Sequence, residues 1–188
     1  MKTIVGADGK ARCRWSSVAP EFIAYHDQEW GFPVTEDHRL FEKLSLEGFQ
    51  SGLSWRTILA KRDNFRAAFE DFDIDKVARF TARDVTRLLK DAGIVRHRGK
   101  IEAVINNARR ARELVADEGS LAVFFWKYAP GAKDGIALSK ELKRRGWKFV
   151  GPTTVYAFMQ AMGLVNDHAE KCVIRAKAER ARRKFVKG

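Results

Sequence analysis

Apolar side chains recur every three or four positions along most of this chain, a spacing that predicts amphipathic α-helices. The longest such segment runs from about residue 100 to residue 116 and places its apolar side chains along one face. Alternating apolar and polar positions, which would indicate β-strands, are scarce, and there is no internal repeat. The pattern therefore predicts an all-α fold.

Residues that favour helix ends divide this pattern into separate helices. The candidate N-caps are Thr35, Ser54, Thr81 and Ser139, and Asp84 completes a capping box with Thr81. Apolar residues at helical spacing follow Thr35, Ser54 and Thr81, whereas Ser139 precedes a short basic helix that is expected to end near Gly146.

Glycine and proline mark further helix boundaries. Gly93 is expected to end one helix, Pro152 to open another, and Gly163 to follow the end of that second one. A last helix is expected to start near Asp167. The stretch 129–135 is the most loop-like in the interior, and we interpret it as a connection within one domain.

Composition indicates a folded protein with a polyanionic partner. Hydrophobic residues make up 45% of the 188 positions, with 13 Phe and 5 Trp, which is enough for a sizeable core. The formal net charge of +12 favours nucleic acid ahead of an acidic membrane, while a generally basic protein is the plain alternative. No apolar run is long enough for a signal peptide or a transmembrane helix. With two cysteines, a reducing, cytoplasmic setting is expected.

Basic residues are concentrated in three places. They are Arg96, Arg98 and Lys100; Lys140, Lys143, Arg144, Arg145 and Lys148; and a tail with Arg175, Lys177, Arg180, Arg182, Arg183, Lys184 and Lys187. We interpret the tail as a solvated, fraying extension that adds nonspecific affinity for phosphate.

The middle basic cluster lies in a segment, 140–163, with the pattern helix, short turn, helix. Gly146 and Gly151 bracket the turn, which contains Lys148. Glycine lets the backbone approach another molecule closely, and free N–H groups at the start of the second helix, around Thr153, can bind phosphate. The segment predicts a helix-hairpin-helix that grips the DNA backbone, although an αα-hairpin that merely packs would have a similar pattern.

Both cysteines and two of the four histidines lie near the chain ends. Cys13 and His26 are near the N-terminus, and His168 and Cys172 are four positions apart near the C-terminus. On a helix, that spacing directs both members of the second pair to one face. Together the four suit a tetrahedral, structural Zn²⁺ site. Ordinary burial of free cysteines and histidines is the alternative, and a Cys13–Cys172 disulfide is a third.

Aromatic residues and one carboxylate recur in the first third of the chain. Phe22, Tyr25, Trp30 and Trp55 supply rings, and Glu47 lies on or near a helix end. Rings hold a cation by stacking and cation–π attraction, and a carboxylate favours positive charge. The set predicts a pocket for a flat, cationic base, although each ring alone is as well explained by the core and Glu47 by the surface.

Six segments, spread in order over residues 13–172, match one known family. They are Cys13-x-Trp15, AYHDQEWG at 24–31, LEGFQSGLSW at 46–55, DAGIVRHRGKI at 91–101, KRRGWKFVGPTT at 143–154 and GLVNDHAEKC at 163–172. Together they resemble the 3-methyladenine DNA glycosylase I family, and their length makes the resemblance highly specific.

The resemblance implies an all-α, helix-hairpin-helix glycosylase fold with one structural Zn²⁺ that joins the N- and C-terminal segments. The ligands would be Cys13, His26, His168 and Cys172. The expected boundaries are 1–188 for a single glycosylase unit, 1–10 for a flexible extension, 11–174 for the catalytic fold and 175–188 for the basic tail.

The resemblance also implies a monomeric enzyme that excises N3-methyladenine from alkylated double-stranded DNA. The base would contact Tyr25, Glu47 and Trp55, with Trp30 nearby, and Glu47 would act either in recognition or on the transition state. Phe22 stands where the family often has Tyr, so base affinity is expected to be somewhat lower while stacking is retained.

Further positions bear on DNA and on the chemistry. Leu53, preceded by Gly52, lies in the loop expected to insert into the duplex. Asn166 stands where the wider superfamily places an Asp, and Thr153 where bifunctional relatives place a lysine. We therefore expect a monofunctional enzyme that depends on a labile substrate. The alternatives are a non-enzymatic, zinc-stabilised DNA-binding protein and a glycosylase with a broader alkylpurine range.

Overall fold

Most of the described chain is helical. A computed structural model describes residues 1–186, and these contain eleven α-helices and one two-stranded antiparallel sheet. The strands are β1 (Thr3–Val5) and β2 (Ala11–Cys13). The helices are α1 (Glu21–Gln28), α2 (Asp37–Gln50), α3 (Trp55–Ala60), α4 (Arg62–Ala68), α5 (Ile74–Ala78), α6 (Ala82–Lys90), α7 (Arg98–Glu118), α8 (Leu121–Trp126), α9 (Ile136–Arg144), α10 (Pro152–Ala161) and α11 (Arg175–Val186). Short 3-10 segments occupy Arg14–Ser17 and Glu70–Phe72. The predicted helical class is confirmed, with the small sheet as an addition.

The chain forms two compact units. The first contains residues 1–34 together with the segment from residue 159 onward, and the second contains residues 35–158. The first unit is therefore built from both ends of the chain. The expectation of a single glycosylase unit over 1–188 stays a prediction.

Backbone hydrogen bonds tie the two chain ends together within the first unit. β1 pairs with β2, so part of the stretch expected as a flexible extension, residues 1–10, is a strand in a hairpin. The N–H of Val173 donates to the carbonyl of Ala11 at 2.8 Å, and the N–H of Gly31 donates to that of Ala161 at 3.0 Å.

The basic tail forms a helix over Arg175–Val186, so its description as a fraying extension is wrong over that range. Ala178 in α11 is fully buried. The Arg182 guanidinium donates to the carbonyls of Gly163 and Leu164 at 2.6 and 2.7 Å. These bonds satisfy carbonyl groups beyond the end of α10 and hold α11 against the unit. Positions 187 and 188 of the predicted tail lie outside the described residues.

Phenylalanine rings form the core of the second unit. Phe49, Phe65, Phe69 and Phe72 are fully buried, and the ring centroids of Phe49 and Phe65 lie 4.6 Å apart. Those of Phe69 and Phe72 are 5.5 Å apart. Ring packing of this kind supplies much of the apolar burial that stabilises a domain of this size.

Two of the predicted helix caps are confirmed. The Ser54 hydroxyl accepts a hydrogen bond from the N–H of Thr57 at 3.1 Å, and Thr81 and Asp84 form the expected capping box. The long predicted helix is also confirmed as α7, which ends at Gly119 with a φ of 90°.

Two other predicted caps are wrong. Glu36, rather than Thr35, precedes α2. Ser139 lies inside α9, where its hydroxyl donates to the carbonyl of Val150 at 2.6 Å, and Gly135 takes the N-cap position. Tertiary contacts of this kind override local preference.

One finding concerns membranes. Among residues 1–186, no helix combines the length and the apolar character that a bilayer crossing requires.

Candidate functional site

Three of the four predicted metal ligands meet in the core of the first unit. Cys13 ends β2, His26 lies on α1, and Cys172 lies in the loop before α11. Their ligand atoms are all within 4.8 Å of one another, and the Sγ of Cys172 is 3.4 Å from the Nε2 of His26. All three residues are buried. Two thiols and an imidazole in this arrangement form a group that could hold a metal ion.

His168, the fourth predicted ligand, lies beside this group. Its ring centroid is 5.2 Å from that of His26, and the residue is 1% exposed. Its Nδ1 is 2.9 Å from the Oδ1 of Asn166, while its Nε2 is buried and has no hydrogen-bond partner among residues 1–186. A buried polar atom without a partner is costly, so this nitrogen marks where a further ligand bond would stabilise the protein.

The predicted helix around His168 and Cys172 is wrong, because α11 begins only at Arg175. The Asn166 side chain explains the difference. Its amide donates to the carbonyl of Arg175 and to the carboxylate of Glu179, and its oxygen lies near the His168 ring. Such side-chain bonds compete with helix formation. A turn closed by the N–H of Cys172 on the carbonyl of Ala169 brings the pair together instead.

Neighbouring groups fix the orientation of His26. Its Nδ1 is 2.7 Å from the Oδ1 of Asp27, and the Nε of Arg12 donates to both oxygens of that carboxylate at 3.0 Å. With Nδ1 engaged, the Nε2 of His26 points to the cysteines. Histidine ligands in metal sites are oriented in this way by carboxylates.

Cys13, His26, His168 and Cys172 are together called the Cys–His cluster, and burial controls protonation within it. It raises the pKa of the Cys13 thiol to about 12. The N–H of Ala169 donates a hydrogen bond to that sulfur at 3.3 Å, which acts in the opposite direction and lowers the pKa. Burial also lowers the pKa of His168 to about 4, and it lowers the pKa of His26 despite the Asp27 carboxylate. Neutral imidazoles are ready to bind a metal, whereas the Cys13 thiol would become a thiolate only beside a cation.

The predicted aromatic residues of the first unit surround Trp15. The Trp15 ring centroid lies 6.0 Å from that of Phe22, 6.1 Å from Tyr25 and 5.2 Å from Trp30. Phe22, Tyr25 and Trp30 are each buried to a similar extent. The Trp30 ring is also 4.7 Å from that of His168, so it forms a wall of the Cys–His cluster. Trp15 was not among the candidate aromatic residues predicted from the sequence, although the Cys13-x-Trp15 motif was a signal for it.

In the second unit, Glu47 and Trp55 are brought together by a residue that the sequence analysis missed. The Nζ of Lys43 is 2.8 Å from the Oε1 of Glu47, one turn along α2, and 3.3 Å from the ring centroid of Trp55 at the start of α3. The side chains of Lys43 and Glu47 are 7% and 6% exposed. A lysine within the largely apolar stretch LFEKLSLEGF was the available signal.

The predicted pocket residues are thus distributed over both units. Phe22, Tyr25 and Trp30 belong to the first, and Glu47 and Trp55 belong to the second. A common pocket that includes all five stays a prediction.

The loop between α2 and α3 presents Leu53 to solvent. Leu53 is 42% exposed, and Gly52 before it has a φ of 79°, a conformation that favours glycine. The buried Lys100 side chain donates from Nζ to the carbonyl of Phe49 at 2.9 Å and to that of Ser51 at 2.5 Å. Burial lowers the pKa of Lys100, while the carbonyls at the end of α2 favour its charge. Lys100 therefore anchors the base of the Leu53 loop.

The turn between α9 and α10 is held by two asparagines of α7. The Asn107 side chain accepts from the N–H of Lys148 at 2.8 Å and donates to its carbonyl at 2.9 Å, while Asn106 donates to the carbonyl of Gly146 at 2.9 Å. Gly146 has a φ of 81°. These bonds fix the backbone of the turn, and Lys148 remains exposed.

The second helix of this pair begins as the sequence predicts. α10 starts at Pro152, and the N–H of Val155 donates to the carbonyl of Gly151 at 2.9 Å. The N–H of the exposed Thr153 comes before Val155, whose N–H is the first to donate within the helix, so it is available to an anion. A side chain at Gly151 would meet no atom within 4 Å, so this glycine leaves open space at the helix start.

Two arginines of the predicted basic cluster are engaged in ion pairs. Arg144 binds Glu141 at 2.6 Å, and Arg145 binds Glu118 and Glu141 at 2.8 Å. These arginines stabilise α9 and its contact with α7, so less of the cluster's charge is directed outward than the sequence alone indicates.

Comparison with known proteins gives a consistent result. The model of the methyladenine glycosylase family matches residues 15–136 and 130–176. DNA-3-methyladenine glycosylase 1 of Escherichia coli strain K12 is 49% identical over 179 residues, covering 86% of this chain and 95% of that protein.

Solved structures agree with the sequence matches. A crystal structure of 3-methyladenine DNA glycosylase I is 47% identical, with a TM-score of 0.82, and covers 86% of this chain and 98% of that one. The 3-methyladenine DNA glycosylase I of Staphylococcus aureus, in a structure that addresses 3-methyladenine recognition, is 37% identical with the same TM-score, covering 87% and 96%. The chain therefore belongs to the methyladenine glycosylase family and is a DNA-3-methyladenine glycosylase.

Proposed function

We propose that this enzyme hydrolyses the N-glycosidic bond of N3-methyladenine in alkylated double-stranded DNA after flipping the nucleotide out of the helix. A base inside a duplex is beyond the reach of an active site, so extrusion comes first. A related 3-methyladenine DNA glycosylase I has been solved in complex with 3-methyladenine, which supports this base as the substrate.

One observation carries the proposal: Glu47 and Trp55 together hold a buried cation, the ammonium group of Lys43. A carboxylate and an aromatic face at such distances suit a flat base that carries positive charge. In the proposed complex, Trp55 stacks on the base and Glu47 accepts hydrogen bonds from it. Tyr25 supplies a second hydrogen bond, and Phe22 and Trp30 supply further aromatic surface.

The proposed DNA contacts come from two exposed segments. Leu53, aided by the turn at Gly52, fills the gap that the flipped nucleotide leaves, in the way that apolar wedges unstack base steps. Backbone N–H groups from Gly151 to Thr153, with the turn at Gly146 and the Lys148 side chain, bind phosphates as a helix-hairpin-helix. The enzyme acts on this duplex as a monomer.

The substrate itself lowers the barrier to the reaction. N3-methyladenine is cationic in DNA and leaves as a neutral base, so no general acid is required to protonate it. As the bond breaks, the sugar acquires positive charge, and the Glu47 carboxylate stabilises that charge before water adds. The Asn166 amide is bonded to the Arg175 carbonyl and to Glu179, so Asn166 orders the Cys–His cluster and takes no part in the chemistry.

The reaction ends with an abasic site and an uncut strand. Bifunctional relatives form a Schiff base through a lysine, and the hydroxyl of Thr153 cannot form one. Borohydride added during turnover is therefore expected to trap no covalent complex, and a trapped complex would refute this part of the proposal.

The residues of the Cys–His cluster fit a structural Zn²⁺. Cys13, Cys172, His26 and His168 are the donor set that tetrahedral Zn²⁺ prefers, and the buried Nε2 of His168 would gain a bond. When bound, the metal would cross-link the two ends of the chain. We assign it no step in the chemistry, since all four ligands come from the protein and no position is left open.

The proposal is tested by chromatography of free bases released from methylated duplex DNA. Wild type and a Glu113→Ala control, which loses an exposed carboxylate on α7, are expected to release 3-methyladenine. Glu47→Ala is expected to lose activity by about a hundredfold or more, the usual cost of removing a transition-state stabiliser. Duplex binding without base release by wild type would refute the proposal. Release of other methylated purines at similar rates would favour the broader lesion range.

A further inference from the structure

The ammonium of Lys43 occupies the place where the proposed function puts the positive charge of the substrate base. It contacts the Glu47 carboxylate at 2.8 Å and faces the Trp55 ring at 3.3 Å, with both charged side chains more than nine-tenths buried. One carboxylate and one ring face cannot hold two cations at such distances, because like charges a few ångströms apart repel strongly in a poorly solvated site.

We propose that Lys43 is a displaceable internal counter-ion: the lesion base displaces its ammonium from Glu47 and Trp55, and the ammonium returns as the product leaves. The inference rests on the proposed function. It adds a residue that controls occupancy of the site without contacting the reacting atoms.

The lysine side chain has the properties that this exchange requires. Its four-carbon stem is flexible, and its ammonium is a compact charge that is strongly hydrated once it reaches solvent. The ion pair with Glu47 is a short-range contact along one helix, so moving the lysine requires rotation about side-chain bonds and no rearrangement of α2.

The exchange affects the lesion in DNA and the free product differently. The lesion arrives with the binding energy of the whole duplex, part of which can be spent on displacing Lys43. The free base has only the pocket contacts, and it has become neutral, so its attraction to Glu47 is weaker. Return of the ammonium to Glu47 therefore favours product release.

The first test measures product inhibition at pH 8. Lys43→Met keeps the length of the side chain and removes the charge. We expect it to lower the inhibition constant of free 3-methyladenine by about tenfold, the size of effect that one partly desolvated cation–π or charged contact gives. Lys43→Arg keeps a cation, and Lys90→Met removes an exposed lysine on α6; both are expected to stay within about twofold of wild type, a difference of less than about 0.5 kcal/mol. An unchanged or raised inhibition constant in Lys43→Met would overturn the inference.

The second test needs no charge-removing variant and remains informative if Lys43→Met fails to fold. A methylene group next to an ammonium 3.3 Å above an indole ring experiences a strong ring current, so the Cε protons of Lys43 should be shifted upfield in the free enzyme. In wild type, saturation with free 3-methyladenine should return this signal to the position of a solvated lysine. The signal is assigned by its loss in Lys43→Arg.

The outcomes separate the two proposals. An upfield signal that persists with base bound would show that Lys43 stays in place, which refutes the exchange while the glycosylase assignment stands. Failure of wild type to release 3-methyladenine from methylated DNA would instead refute the proposed function, and the exchange with it.

Discussion

The Cys–His cluster of the first unit and the Glu47 site of the second unit are both suited to a cation, but they differ in its source. The cluster combines Cys13, His26 and Cys172, with His168 beside them, and burial lowers the pKa of both imidazoles. The Glu47 site already contains a cation from its own helix, Lys43. The residues of the first site could therefore hold a metal ion, whereas under the proposed function a cationic base has to compete with Lys43 at the second. This difference suits permanent cross-linking in one case and reversible binding in the other.

The largest expected effect comes from breaking the first site. If Zn²⁺ holds the chain ends together, chelation or Cys172→Ser should lower the melting temperature by about 10 °C, since a ligand held far above its dissociation constant contributes about 4 kcal/mol. Thermal unfolding with and without chelator measures this. His38→Gln, which changes an exposed histidine, is the control. An unchanged melting temperature would show that the cluster stabilises the unit without metal.

The second site is broken by separating its ion pair. Glu47→Gln leaves the Lys43 charge buried, so the free energy of unfolding should fall by about 3 kcal/mol, a cost typical of removing one partner of a buried pair. Adding Lys43→Met should recover most of that loss, because the remaining charge is removed as well. Urea unfolding of the two single variants and the double variant completes the cycle. Strictly additive losses would mean that the two charges are not coupled.

Acid should destabilise the metal-free protein through His168 in the first unit. His168 has a folded-state pKa of about 4, below the usual 6.5, because burial penalises its charged form. Between these values the unfolded chain binds more protons than the folded one, so stability should fall as the pH drops from 6.5 to 4. The loss from this group is about 3 kcal/mol in metal-free protein. His168→Gln should flatten the profile of unfolding free energy against pH, and an equally steep profile in that variant would exclude His168 as the cause.

A smaller effect concerns Lys100, an internal cation bound to backbone carbonyls. Lys100→Met would leave the carbonyls of Phe49 and Ser51 without their donor, at a cost of about 2 kcal/mol. The Leu53 loop should then exchange its amide protons faster and base release should slow. Hydrogen exchange of residues 51–54 measures the loosening, with Lys90→Met as the control. Unchanged exchange would show that the loop is held by other contacts.

Local chemistry explains which predictions from sequence are confirmed. Ser54 and the Thr81–Asp84 pair cap helices because their partners lie within four residues. Pro152 begins α10 for a reason that is also local: the N–H that proline lacks would be unpaired in the first turn of a helix anyway. Helix ends that depend on such short-range interactions can be predicted from the sequence without knowledge of the tertiary structure.

Predictions that depended on distant partners were less reliable. Serine is a residue type that favours N-cap positions, yet the Ser139 hydroxyl donates instead to the carbonyl of Val150, eleven residues away. His168 and Cys172 have helical spacing, yet bonds from Asn166 to Arg175 and Glu179 keep that stretch out of a helix. From residue types and spacing, a shared site with Cys13 and His26 was one of three alternatives, and the family resemblance favoured it.

The sequence by itself determined that this protein is helical and basic, where several of its helices begin, and which family its motifs resemble, because each of these depends on composition or on neighbours along the chain. Only the tertiary structure decided that Lys43 is buried against Glu47 and Trp55, and that Lys100 and Asn107 of α7 anchor the Leu53 loop and the hairpin turn. It also decided that the His168 Nε2 has no hydrogen-bond partner in the part of the chain that the structure describes. The energy of a buried charge or polar atom depends on the groups that replace its water, and those groups come from residues far away in the chain.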